Sequence, residues 1–163
     1  MELKQLFLRR ESCRNFNGKK VNKQTIMDIL DESRLAPSAR NNQPWHFWII
    51  DNSETFKDLT SPLREFTQKA GGMVIITKPK NLEYGRHDYA NFDAGVVTAF
   101  ITLAAMNKNV QTCIIGSYDD DKVKLVVPAL KNEDIQIMIL FGYSEDEPRV
   151  KTRVDLANMI NII

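Results

Sequence analysis

Glycine is scarce and scattered, with seven in 163 residues at positions 18, 71, 72, 85, 95, 116 and 142. None falls into Gly-x-Gly-x-x-Gly or a Walker loop, so a backbone phosphate cradle of either kind is excluded. Cysteine is rarer still. Cys13 and Cys113 lie far apart, match no metal or redox spacing, and read as reduced thiols. His46 and His87 are isolated from each other and from any cysteine pair, so no metal site is expected. Charge of either sign is not in excess: the net value is +1, which gives no general attraction to nucleic acid or acidic membranes. A basic stripe, an RNA-binding signature and zinc-finger spacing are all missing. No apolar run approaches the roughly 20 residues of a bilayer span. Met1-Glu2-Leu3-Lys4 lacks the pattern of a signal peptide, and the expected location is cytoplasmic. A nucleophile elbow, paired catalytic carboxylates and a His-Cys signature are absent too.

What is there suits one domain over residues 1–163, with 43% apolar and 26% charged residues. Leu3, Leu6 and Phe7 predict a short amphipathic helix. Asn22 is a good N-cap for a second helix, with Val21 and Ile26 placed as a staple and Ile26, Ile29, Leu30 and Ser33 inward. His46–Ile50 reads as a strand, and Ser53 as the cap of a helix containing Phe56 and Leu59. After Pro62 a helical stretch resumes over Arg64–Lys69. Met73–Ile76 is a clean apolar strand, followed by a loop over Lys78–His87 with Pro79, Asn81 and Gly85 as breakers. Asp88–Lys108 is the longest helical pattern, apolar on most faces, hence central or interfacial. A strand at Thr112–Ile115, a helix over Asp119–Val126 and a buried strand at Asp134–Phe141 follow. The tail from Glu147 is polar and basic, then faintly amphipathic through Leu156, Met159 and Ile160. Strands and helices mix without β-α-β alternation, which argues α+β.

Two segments carry chemistry. Pro37-Ser38-Ala39-Arg40-Asn41-Asn42-Gln43-Pro44-Trp45 is a polar loop stiffened by prolines at a strand's edge, where binding groups tend to sit. Its plain alternative is ordinary helix-to-strand turn chemistry. In Arg10-Glu11-Ser12-Cys13-Arg14, polar side chains recur at every second position, so an extended chain turns all three to one side. Two guanidiniums and a hydroxyl suit a compact anion, and the alternative is a solvated basic patch.

Together these motifs resemble the nitroreductase family of FMN-dependent oxidoreductases. Arg10, Ser12, Arg14 and Phe16 match its Arg-x-Ser-x-Arg-x-Phe, and Pro37 to Trp45 match its Pro-Ser-loop. Leu140-Phe141-Gly142-Tyr143, then Glu147-Pro148 and Lys151-Thr152-Arg153, match its closing strand, turn and basic pair. The resemblance runs from about Leu3 to Leu156. It implies a mixed, mostly antiparallel sheet flanked by helices, in an intertwined homodimer. It implies FMN as cofactor and NAD(P)H as electron donor. Arg10 would hold the phosphate, Ser12 the ribityl-phosphate region and Arg14 the pyrimidine edge, with Lys151 and Arg153 closing the phosphate clamp. Ile114, Ile115 and Gly116 would pass near the ring. Pro37, Ser38, Ala39 and Asn41 would come from the other subunit. The implied activity is ping-pong hydride transfer to nitroaromatic, quinone or similar small acceptors. A chain with binding motifs and no acid–base machinery fits an enzyme whose cofactor carries the reaction. The alternative is a non-catalytic module that binds FMN, stores it or senses its redox state. Departures from the pattern are Asn109 and Gln111, where the family often has glycines, Arg40 at a frequently small position, and a short middle region from Thr60 to Asn91.

Overall fold

The computed structural model describes residues 2–80, 82 and 89–163. Four antiparallel strands form its sheet: β1 (His46–Ile50), β2 (Gly72–Pro79), β3 (Gln111–Ile115) and β4 (Glu133–Gly142). Their spatial order is β1-β2-β4-β3. An isolated parallel bridge between Ser12 and Thr112 adds the N-terminal segment along the outer edge of β3. All three strand pairings are antiparallel and helices pack on the sheet, the α+β class expected; the mixed character expected reduces to that one isolated bridge.

Among the described residues five α-helices flank it: α1 (Leu3–Arg9), α2 (Lys23–Ser33), α3 (Ser53–Thr60), α4 (Ala90–Asn107) and α5 (Asp120–Val126). Period-2 side-chain alternation splits the core in two. On one face Val74, Ile76, Ile139 and Phe141 pack against α2 and α4 through Ile29, Leu30, Val97 and Ile101. On the other, Met73, Ile75, Met138 and Leu140 pack against Leu59 of α3 and Val123 of α5. Every residue from Gly72 to Thr77 is buried, because β2 lies between two neighbouring strands and under helices on both faces. Truncating Ile75 or Met138 to alanine should cost about 2–5 kcal/mol.

Helix starts follow local chemistry. Asn22 accepts a hydrogen bond from the Gln24 amide at 2.8 Å, and Val21 and Ile26 are buried in one cluster as a staple requires. Asp119 caps α5 through the Lys122 amide. At α3 the cap is Asn52 rather than Ser53: its side-chain oxygen accepts from both Glu54 and Thr55 at 2.9 Å. The stretch expected to resume after Pro62 is a 3-10 turn, Glu65–Lys69. The strand expected from Met73 runs on through Pro79, so the expected loop begins later, and Asn81, Gly85 and His87 lie outside the described residues. In β4 the Met138–Gly142 half is buried throughout and the first half only in part. The tail's amphipathic pattern yields only one turn, Leu156–Asn158, with Leu156, Met159 and Ile160 all exposed.

Candidate functional site

The site grows from the way the N-terminal segment is fastened. After α1, Cys13 N–H donates to the Thr112 carbonyl at 2.9 Å, and Asn17 N–H to the Tyr143 carbonyl at 2.9 Å. Phe16 is buried, and its ring fills the space in which a Cβ on Gly142 would stand, 2.5 Å from the ring's Cδ1. Phe16 and Gly142, far apart in sequence, are thus two halves of one contact. Glu11 is engaged by Arg149, whose backbone N–H and Nε both donate to its Oε2 at 3.2 Å, while Arg149 Nη2 donates to the Ser12 carbonyl at 3.1 Å.

That arrangement ties up the one carboxylate of the pocket, Glu11, and leaves the other cations in excess. Arg10, Ser12, Arg14, Lys151 and Arg153 line one cavity of about 360 Å³. Among the described residues, no carboxylate forms an ion pair with Arg10, Arg14 or Arg153. Lys151 Nζ donates to the Leu8 carbonyl at the C-terminal end of α1, where a cation also suits the helix dipole. Its ammonium is held below the ordinary lysine value, chiefly by burial, with Glu11 opposing and Arg10, Arg153 and Arg149 reinforcing the fall. Unpaired cations crowded this way repel one another until an anion is bound. The donor set is that of a phosphate site: forked guanidiniums, an ammonium and a hydroxyl.

A second cavity, of about 490 Å³, begins where the first ends, because Arg14 borders both. Ile114, Ile115 and Gly116 line it at the end of β3, together with Cys113 and Ser117. Pro62, Leu63, Arg64, Phe66 and Thr67 complete the lining, from the connection after α3 and the 3-10 turn that follows it. Sequence reasoning missed this wall. Arg64, flanked by Leu63 and Phe66, was the available signal: a cation beside apolar residues after a proline. Among the described residues its guanidinium also forms no ion pair. A cavity with apolar and polar walls and one cationic corner can hold a flat, partly polar ring beside the anion pocket.

Pro37, Ser38, Ala39 and Asn41 border neither cavity. They belong to the α2–β1 loop, where Arg40, Asn41 and Gln43 all take positive φ, at 54°, 57° and 46°. Left-handed backbone costs roughly 1–2 kcal/mol for an ordinary L-residue. The buried carboxylate of Asp93, in the first turn of α4, holds the loop by accepting the Ala39 amide at 3.1 and 3.2 Å. Ser38 Oγ accepts the Gln43 amide at 2.9 Å. Arg40, Asn41 and Gln43 remain exposed on this strained frame. At the other departure, Asn109 takes φ 57°, the conformation a glycine would supply, whereas Gln111 is ordinary strand with its Oε1 buried and, among the described residues, without a hydrogen-bond partner.

Comparison with known proteins points one way. The sequence model of the Nitroreductase family matches residues 8–74. A protein of Archaeoglobus fulgidus, named provisionally as an NADH dehydrogenase/NAD(P)H nitroreductase, is 28% identical over 152 residues, covering 89% of this chain and 86% of its own. The crystal structure of a nitroreductase family protein from Clostridium difficile superposes with a TM-score of 0.86 at 23% identity, covering 99% of this chain and 98% of its own. An FMN-dependent nitroreductase from Clostridium difficile superposes at 0.76 with 22% identity and 90% coverage of each chain.

Proposed function

We propose that the chain, whose residues 8–74 match the Nitroreductase family model, is a member of that family and an FMN-dependent oxidoreductase that takes electrons from NAD(P)H. The observation that carries this reading is the pair of cavities joined at Arg14, one in which Arg10, Arg14 and Arg153 outnumber the single carboxylate Glu11, itself paired with Arg149, and one sized for a ring. The residues fit FMN on their own chemistry. Arg10, Ser12, Lys151 and Arg153 would hold its phosphate, compensating a doubly charged group with several charge-assisted bonds. Arg14 would sit at the junction, where positive charge favours the anionic reduced form. Ile114, Ile115 and Gly116 would line the ring's cavity, with Arg64 and Phe66 opposite. Bound FMN supplies the hydride chemistry, accepting from reduced nicotinamide and passing electrons onward.

In this reading donor and acceptor use one site in turn, a ping-pong cycle, and the acceptor is a nitroaromatic, a quinone or a similar small electrophile. The whole chain acts as one FMN-binding domain, in the cytoplasm. The site is completed in a homodimer, with Pro37, Ser38, Ala39 and Asn41 of one subunit facing the cavity of the other. Supporting this, the loop's strained residues are exposed in the single chain, and Phe92, Phe100 and Phe7 present apolar rings to the outside. The left-handed Asn109 keeps the backbone path that a glycine would give, which favours the enzyme over the storage module.

The test is an absorbance spectrum after FMN addition and desalting, followed by anaerobic titration with NADH and NADPH. Flavin that is retained and bleaches is the expected result. Flavin retained but unbleached by either donor would favour the non-catalytic module, and no retained flavin would refute the cofactor.

A further inference from the structure

A pair of thiols lies beneath the site, and the proposed chemistry does not use it. The bridge between Ser12 and Thr112 is parallel. In a parallel pair, successive residues stay in step and opposed side chains share a face. Cys13 therefore stands beside Cys113. Burial agrees with this register: both thiols are buried, and both belong to the same apolar cluster on one face of the sheet, with Leu140 and Met138. Neighbouring strands lie about 4.8 Å apart, inside the about 4.4–6.8 Å that a disulfide spans between Cα atoms.

The surroundings differ for the two sulfurs. Burial raises the Cys113 thiol above its ordinary value, the Arg14 guanidinium pulls it down, the Cys13 thiol pushes it up and Arg149 pulls it down again. Cys113 thus lies within electrostatic reach of both its partner thiol and Arg14, the residue that joins the two cavities. It also borders the larger cavity. Cys13 is raised by burial first, with hydrogen bonds from Asn15 and Ser144 opposing, and it borders neither cavity. One thiol faces the proposed ring site and the other stands behind it.

We propose that Cys13 and Cys113 form a dithiol–disulfide couple that exchanges an electron pair with FMN held in the adjoining cavity. The proposal rests on the flavin reading above. On oxidation both S–H bonds break and one S–S bond forms, while the electron pair and two protons pass to oxidised FMN, giving reduced FMN. Reduced FMN drives the reverse direction, splitting the disulfide and returning both thiols. Each loaded chain thereby stores twice the electrons of its flavin alone. Because Cys13 follows Ser12 and Cys113 precedes Ile114, the disulfide would also clamp the phosphate segment to the strand that lines the ring site.

The experiment uses the FMN-loaded protein, cycled with NAD(P)H and reoxidised in air. It is quenched in denaturant with iodoacetamide and weighed by mass spectrometry, beside apoprotein treated identically. The expected result is a loaded chain two hydrogens lighter and unalkylated, with both thiols alkylated in the apoprotein. Anaerobic dithionite titration of the air-oxidised protein should then consume two electron pairs per flavin. C13A and C113A should each consume one, and either variant suffices if the other fails to fold. Retained FMN with both thiols alkylated and one electron pair consumed would overturn the couple while leaving the flavin reading intact. No retained FMN would overturn both.

Discussion

Arg14 borders both cavities, whereas Arg10 and Arg153 border only the smaller. This separates their expected defects. Arg10→Ala combined with Arg153→Ala should lower FMN affinity without altering the flavin spectrum of the protein that remains loaded. Each lost charge-assisted bond is worth about 1.5–3 kcal/mol, roughly tenfold or more in affinity. Fluorescence titration with FMN checks this, and unchanged affinity would remove the clamp role. A second residue reports on pH. The Tyr118 phenol is pushed up to about 12, first by burial and then by Asp120, against about 10 in an unfolded chain. Below pH about 10 both states keep the proton and the residue's contribution is complete; as pH rises from about 10 to about 12 the unfolded chain loses its proton first, so stability falls. Urea midpoints compared at about pH 9 and about pH 11 should therefore drop further for the unaltered protein than for Tyr118→Phe. Equal drops would mean that burial does not hold the phenol neutral.

Among the elements, the α2–β1 loop and the Phe16–Gly142 contact are the informative ones. Arg40 is exposed at φ 54°. Arg40→Gly removes its left-handed cost while loosening the unfolded chain, a net gain of about 0.5–1 kcal/mol. Thermal unfolding of the apoprotein should rise by about 1–4 °C, and a fall would show that the side chain anchors the loop. Gly142→Ala places a methyl within 2.5 Å of the Phe16 ring. Overpacking of this kind costs about 1–3 kcal/mol, and calorimetry should record it as a lower midpoint. These elements also show what the chain discloses locally. Asn22 with its staple, the alternating Arg10, Ser12 and Arg14, and the apolar run of β2 are all short-range patterns, and all were legible. The cap of α3 was not, because Asn52 and Ser53 are both competent caps and only the backbone geometry selects Asn52. The tail's weak periodicity misled for a related reason: helices this short depend on packing, and among the described residues Leu156 and Met159 stay largely exposed.

The whole molecule adds what no local pattern can. The wall formed by Leu63, Arg64, Phe66 and Thr67, and the alignment of Cys13 with Cys113, arise from tertiary register alone. The residues proposed to hold phosphate could be recognised as a motif, but not the pairing that leaves them in excess, in which Arg149 neutralises Glu11 from far along the chain. Assembly should be equally visible at this scale. Phe92 is 70% exposed, and if α4 forms the subunit interface, Phe92→Asp should shift sedimentation toward monomer and reduce FMN retention together. A monomer with full retention would place the complete site within one chain. The bridge between Ser12 and Thr112 has one more consequence, felt while the protein is being made. Arg10 to Arg14 leave the ribosome early, yet the strand against which they are held follows about 100 residues later. At about 5–20 residues per second that is a wait of roughly 5–20 seconds, and Arg149 arrives later again. No nascent fragment can hold the cofactor in the manner proposed, so loading becomes an event that follows synthesis and reports a finished chain.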